Sequence, residues 1–143
     1  MKDDCCAPKG NFDLAVIGAG SAGFSAAITA AEGGKRVALI GHGTIGGTCV
    51  NVGCVPKKLF VYASHFAHDF EDAKGFGWNV GERSFDWARL IANKDTEIAR
   101  LNSVYARLLD QAGVERIEGR ARFVDAHTVE VAGKRYRAKH ILI

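Results

Sequence analysis

Long apolar runs are missing from this chain. No stretch approaches the roughly 18 consecutive apolar residues that a membrane-spanning helix needs. A strong excess of one charge is missing too, since 19 Lys and Arg stand against 16 Asp and Glu, a formal net charge of +3. So small a bias gives no electrostatic argument for nucleic acid or for an anionic membrane surface. Proline is scarce at two residues, and cysteine stops at four, in the pairs Cys5 with Cys6 and Cys49 with Cys54. That is too few and too clustered for a secreted disulfide scaffold, so any disulfide here is expected to be a working one. The first ten residues carry charges where a secretory signal needs an apolar stretch, which makes the cytoplasm the expected compartment. With 48% hydrophobic and 24% charged residues over 143 positions, the composition is that of a globular domain with one core.

Glycine, by contrast, is plentiful. Its 17 residues cluster at Gly18, Gly20 and Gly23, at Gly33 and Gly34, and between Gly41 and Gly53. Apolar residues interleave with them, so the clusters read as backbone brought close to a ligand rather than as linker. Phe12 to Ile17 and Arg36 to Ile40 are short apolar runs of buried-strand length, and the Ala-rich segment Ser21 to Glu32 between them reads as a helix. Strand, helix and strand over about thirty residues is the length of a βαβ crossover. A helix is expected around Pro56, with Leu59, Tyr62, Ala63, Phe66 and Phe70 at helical spacing and a stop near Gly75. A second helical pattern runs from about Phe85 to Ala112, with Gly113 just past its end. Then the period shortens. Val114 to Glu118, Ala121 to Val124, Thr128 to Val131 and Lys134 to Ala138 read as strands, the last two joined by a turn at Ala132-Gly133. The final His140-Ile141-Leu142-Ile143 has strand character with no turn or polar tail behind it. The chain is therefore expected to be a fragment, with a disordered leader over 1–10 and an incomplete domain over 11–143.

Gly18-Ala19-Gly20-Ser21-Ala22-Gly23 matches the G-x-G-x-x-G dinucleotide fingerprint, and it lies between an expected strand and an expected helix. The first glycine makes the tight turn, the second admits a pyrophosphate, and the third lets the helix pack closely on the strand. The same fingerprint calls for an acidic residue about twenty positions on, to hold a ribose hydroxyl. Gly41 stands there instead, so either His42 or backbone groups take over, or affinity is reduced. Cys49 and Cys54 lie just before Pro56, which places Cys54 near a helix N-terminus, where the dipole favours a thiolate and a depressed thiol pKa is expected. A structural zinc site needs two further close ligands, which are absent here, so a redox dithiol is the better reading and no metal is expected. His65 and His68 lie three apart without acidic or thiol companions and read as solvated or packing residues. Cys5 and Cys6 are either soft ligands suited to mercury or incidental residues of a polar leader.

The segment Gly46-Gly47-Thr48-Cys49-Val50-Asn51-Val52-Gly53-Cys54-Val55-Pro56-Lys57-Lys58, with the upstream fingerprint, resembles the signature of the FAD-dependent pyridine nucleotide disulfide oxidoreductases. The motif is highly specific, and the resemblance extends from about Phe12 to Ile143. It implies an α/β, Rossmann-like FAD-binding domain with a parallel sheet, crossover helices and a small antiparallel β element. It also implies FAD as cofactor, NADPH bound by a domain absent from this chain, and a homodimeric parent. By the same resemblance Cys49 is the interchange thiol that attacks the substrate, and Cys54 is the charge-transfer thiol that lies against the flavin. The implied cofactor contacts are Gly18, Gly20, Ser21, Ala22, Gly23, Gly47, Thr48, Cys49, Lys57, Lys58 and Ala121, and the implied substrate contacts are Ser21 and Tyr105.

Within that family, Lys57-Lys58, Tyr62-Ala63-Ser64-His65-Phe66 and Arg100-Leu101-Asn102-Ser103-Val104-Tyr105 resemble glutathione reductases, which implies glutathione disulfide as substrate. A core aromatic on a helix face is the other reading of Tyr105. Ser21 to Ala27 and Gly43 to Gly47 resemble mercuric reductases instead, and Ile28 stands where glutathione reductases carry an arginine for a substrate carboxylate. Mercuric ion is thus the alternative substrate. For the 143-residue chain by itself, a non-catalytic flavin- or thiol-binding module is the competing reading.

Overall fold

The computed structural model describes residues 10–143. Cys5, Cys6 and the expected leader up to residue 9 lie outside the described residues. The element order is β1 (Asn11–Ile17), α1 (Ser21–Glu32), β2 (Val37–Gly41), α2 (Gly47–Asn51), α3 (Cys54–Asp72), a 3-10 turn (Ala73–Phe76), α4 (Trp87–Gln111), β3 (Glu115–Glu118), β4 (Ala121–Asp125), β5 (Thr128–Val131) and β6 (Lys134–Leu142).

Two compact units emerge. One comprises Asn102–Ile143 with the described residues up to Gly47, and the other is Thr48–Leu101. The first holds a six-stranded sheet in the order β3-β2-β1-β6-β5-β4. β3, β2, β1 and β6 run parallel to one another, while β5 pairs antiparallel with both β6 and β4. The sequence shows near-continuous apolar runs in β1 and β2 because both faces of these strands are covered. Val16, Val37 and Leu39 pack on one face with Ala27 of α1, Leu109 of α4 and Val114. Ala15, Ala38 and Ile40 point to the other face and meet Phe12, Ile117, Val129, Val131 and Ala138.

Local signals set the ends of the helices. After α1, Gly34 adopts a φ of +77°, its N–H donates to the Ala31 carbonyl, and the Lys35 N–H donates to the Ala30 carbonyl. α4 ends the same way: Gly113 N–H reaches the Asp110 carbonyl and Val114 N–H reaches Leu109. Each is the paired closure in which a left-handed residue satisfies the last carbonyls of a helix.

β6 departs from expectation. A strand over Lys134 to Ala138 and a separate terminal run at His140 are one continuous strand, because β6 changes partner midway. It pairs with β5 through Arg137 and with β1 from Arg137 to Leu142. The antiparallel element is therefore an extension of the parallel sheet rather than a separate piece.

The second unit is helical. In it Phe60 stacks on Trp87 with ring centroids 5.7 Å apart, and Phe66 meets Phe70 at 6.1 Å. Among the described residues, no helix is long and apolar enough to cross a membrane.

Candidate dinucleotide site and redox dithiol

In the first unit, the turn from β1 into α1 is built around the fingerprint. Gly18 has a φ of +115°, a conformation that side-chain-bearing residues rarely adopt. A Cβ on Gly23 would stand 1.9 Å from the Gly18 carbonyl oxygen and 3.2 Å from Val16 Cγ1, so only glycine lets α1 approach β1 this closely. At Gly20 the corresponding position is open, with nothing within 4 Å. Gly20 is also the N-cap of α1, which has no side-chain cap and no acidic residue in its first turn. The first amides of a twelve-residue helix are thus left facing an open space without competing negative charge, the arrangement that accepts a phosphate. These residues fit a dinucleotide pyrophosphate. Ser21 and Ala22 begin this helix and are exposed.

Gly46 and Gly47 close over the fingerprint. The Gly46 N–H donates to the Ala19 carbonyl at 2.8 Å, and Gly47 lies so near Gly20 Cα that an added Cβ would be 2.8 Å from it. A cavity of about 270 Å³ is lined by Gly18, Gly20, His42, Gly47 and Ala121 among others. The structure therefore brings Ala121, a candidate from the far end of the sequence, to the glycine turn. A neighbouring cavity of about 840 Å³ is lined by Ala19, Gly41, Thr44, Arg116 and Glu118. Sequence reasoning did not reach Arg116 or Glu118, because the β2–β3 register that places them here joins segments more than seventy positions apart.

In the second unit, Cys49 sits in α2 and Cys54 is the first residue of α3, with Gly53 as its N-cap. A Cβ on Gly53 would lie 2.9 Å from the Thr48 carbonyl oxygen and 3.4 Å from Cys49 Cα. Glycine at 53 thus allows the chain to fold back on α2. Both cysteines carry free thiols, Cys49 half-buried and Cys54 exposed.

The expected depression of the Cys54 pKa is not found. Its thiol is pushed up, first by the hydrogen bond to Cys49, then by some loss of hydration and by the charge of Cys49. The backbone amide at the helix start and the Lys57 ammonium act in the opposite direction and are outweighed. A helix dipole stabilises a lone thiolate, but here a second sulfur within hydrogen-bonding distance makes ionisation of Cys54 costly. Thr48, Lys57 and Lys58 are exposed, and the Lys58 ammonium lies 6.0 Å from the centre of the Tyr62 ring. His65 and His68 are exposed. No group of three His, Cys, Asp or Glu among the described residues is placed to hold a metal ion.

Tyr105, expected with Ser21 as a substrate contact, lies in the first unit, as does Ile28. The Tyr105 ring packs on Phe24 of α1 at a centroid distance of 4.4 Å and is half-buried, so it does the packing work of a helix-face aromatic. Ile28 packs against the cluster formed by Val16, Ala27, Leu39 and Leu109. That environment suits an aliphatic side chain, and an arginine there would have to hold its guanidinium beside the core or carry it out to solvent.

Residues 12–143 match the family described as pyridine nucleotide-disulphide oxidoreductase. The chain belongs to that family. It is 52% identical to a glutathione reductase of Burkholderia cepacia over 94% of its length, and 51% identical to the chloroplastic/mitochondrial glutathione reductase of Pisum sativum over 93%. A mercuric reductase of Lysinibacillus sphaericus is 45% identical over 93% of the chain. The chain spans 30%, 26% and 24% of these relatives, respectively.

Proposed function

We propose that the protein containing this chain is a flavin-dependent, NADPH-linked disulfide reductase whose substrate is glutathione disulfide. The observation that carries this reading is the hydrogen-bonded pair of free thiols, Cys49 in α2 and Cys54 at the start of α3, in a chain that also holds an uncapped dinucleotide fingerprint. The names and identities of the glutathione reductases support the choice of substrate. FAD, once bound, would supply the two electrons that reduce the Cys49–Cys54 disulfide to the dithiol, having received them as hydride from NADPH at a domain outside this chain. On this reading Gly18, Gly20, Ser21, Ala22, Gly23, Gly47 and Thr48, with Lys57, Lys58 and Ala121, hold the flavin dinucleotide. The protein then works as a cytoplasmic homodimer.

The dithiol performs the exchange. Cys49 attacks one sulfur of the substrate disulfide, forms a mixed disulfide and releases the first thiol. Cys54 then attacks Cys49 Sγ, which forms the Cys49–Cys54 bond and releases the second thiol. The protonation of Cys54 fits that order. While Cys49 is free, the hydrogen bond and charge between the sulfurs hold the Cys54 proton in place. Once Cys49 is tied up in the mixed disulfide it carries no charge, so Cys54 ionises more readily at the step that needs it.

Mercuric ion reduction is the second reading, and Ile28 favours it. The apolar packing of Ile28 leaves that position without a cation for a substrate carboxylate, which glutathione has and mercuric ion lacks. The test is steady-state NADPH oxidation by the full-length protein with each substrate. Turnover of glutathione disulfide that disappears in Cys49→Ser is the expected result. Turnover only with thiol-bound mercuric ion would replace the first reading by the second, and a colourless protein without flavin would reject both.

A further inference from the structure

We propose that Glu118, at the end of β3, supplies the ribose-binding carboxylate that β2 lacks, with the adenosine ribose of the flavin dinucleotide as its ligand. The proposal rests on the dinucleotide reading above and deepens it. In folds of this kind the acid stands at the carboxyl end of the second strand and accepts hydrogen bonds from ribose hydroxyls. Here β2 ends at Gly41. The fingerprint backbone has closed on that position: a Cβ on Gly41 would lie 3.1 Å from Ala19 Cβ and 3.5 Å from Ala19 N.

The neighbouring strand offers the missing group. Gly41 and Glu118 are register partners in the parallel β2–β3 pair, and the Gly119 N–H donates to the Gly41 carbonyl at 2.8 Å. Register partners of a pleated pair project to the same face. Along β2, Val37 and Leu39 point to the face covered by α1 and α4, so Gly41 and Glu118 share that face, while Ile40 and Ile117 point to the other. Glu118 thus stands one strand spacing, about 4.8 Å, from where the usual carboxylate would begin, within the reach of its longer side chain.

Both positions line the cavity of about 840 Å³ that also contains Ala19 of the fingerprint. Glu118 is exposed there, and none of the ion pairs among the described residues includes it. Arg116, two residues earlier in β3 and lining the same cavity, is held by Asp110 at 3.0 Å. The cavity therefore presents an unpaired carboxylate and a neutralised guanidinium. That suits the free hydroxyls of an adenosine ribose and disfavours a ribose phosphate.

The test uses the full-length protein stripped of flavin and titrated with FAD, binding being read from flavin fluorescence. The ligand series adds an FAD analogue that lacks the adenosine 2′-hydroxyl. For Glu118→Gln and Glu118→Ala, the dissociation constant for FAD should rise about tenfold or more, as expected when a hydrogen bond to a charged group is lost. Glu118→Ala should bind the deoxy analogue and FAD with nearly equal affinity, whereas the unaltered protein should prefer FAD, and Glu118→Gln, whose amide oxygen still accepts a hydrogen bond, should keep part of that preference. Wild-type FAD affinity in the Glu118 variants would overturn the proposal. So would full retention of the preference over the deoxy analogue in Glu118→Ala, or its loss in His42→Ala instead. An unaltered apoprotein that binds no FAD at all would overturn the dinucleotide reading itself, a distinct outcome.

Discussion

The thiol of Cys54, at the first position of α3, is hydrogen-bonded to Cys49 in α2, and that contact raises its pKa against the combined pull of a helix N-terminus and Lys57. Removing the partner should reverse the balance. In Cys49→Ser the neighbouring group can no longer carry charge, so the helix start and Lys57 should draw the Cys54 thiol down relative to the reduced wild type. The pH profile of Cys54 alkylation by iodoacetamide reads this directly. Its midpoint should move to lower pH in Cys49→Ser and partly return in Cys49→Ser/Lys57→Gln. An unchanged midpoint would show that Cys49 is not the cause.

Gly23 and Gly20 separate the fold from its ligand. A Cβ at 23 collides with the Gly18 carbonyl, which is backbone and cannot rotate away. Gly23→Ala should therefore cost about 1–3 kcal/mol of stability, seen as a lower urea midpoint. At Gly20 the space is open, and a φ of −74° suits any residue. Gly20→Ala should stay within about 0.5 kcal/mol of the parent in stability and yet weaken FAD binding, because the methyl group would stand where the pyrophosphate must come. If both variants unfold equally, the open space at Gly20 has another role.

The difference between what sequence and structure disclose follows from the range of each interaction. α1 is readable at Ser21–Glu32 because its alanines and the glycines behind it act within a few positions of one another. The turn at Ala132-Gly133 is readable for the same reason, and both residues adopt positive φ, 49° and 75°, as a two-residue hairpin requires. The glycine spacing of the fingerprint is likewise local. The full extent of β6 is different, since its second half exists only by pairing with β1, whose residues lie about 126 positions away at Leu14 and His140. Glu118 beside Gly41 is hidden in the same way. At Cys54 the expectation fails because two local effects oppose each other, and only the sulfur–sulfur contact decides between them.

Asp13 supplies an acid-sensitive clasp in the sheet. Its carboxylate accepts hydrogen bonds from the Lys139 ammonium of β6 at 2.7 Å and from the Arg36 backbone N–H at 2.9 Å. The Lys139 contact first, and the Arg36 amide second, hold its pKa below the ordinary 3.8. A carboxylate with a lowered folded-state pKa adds stability above its unfolded value, and that stability is lost as pH falls through the folded value. Asp13→Asn should thus be less stable than the parent near neutrality, with the gap narrowing below pH 3.8. Urea midpoints measured across the acid range provide the check, and a gap that is constant with pH would contradict the assignment.

Ile28 and Tyr105 separate packing from substrate contact. Ile28→Arg would add the cation that glutathione reductases carry at this position by resemblance, but the side chain here packs against the core cluster that includes Val16 and Leu109. Its first effect should be a loss of about 1–3 kcal/mol in stability, whatever it does to the Michaelis constant for glutathione disulfide. Tyr105 makes the complementary case, because its ring and its hydroxyl can be removed separately. Tyr105→Ala gives up the contact with Phe24 and should cost about 1–3 kcal/mol. Tyr105→Phe keeps the ring and should leave the unfolding midpoint unchanged. If the hydroxyl touches glutathione disulfide, Tyr105→Phe raises the Michaelis constant for that substrate while the rate of flavin reduction by NADPH stays the same. Wild-type kinetics in Tyr105→Phe, together with lost stability in Tyr105→Ala, would reduce Tyr105 to a packing residue between α1 and α4.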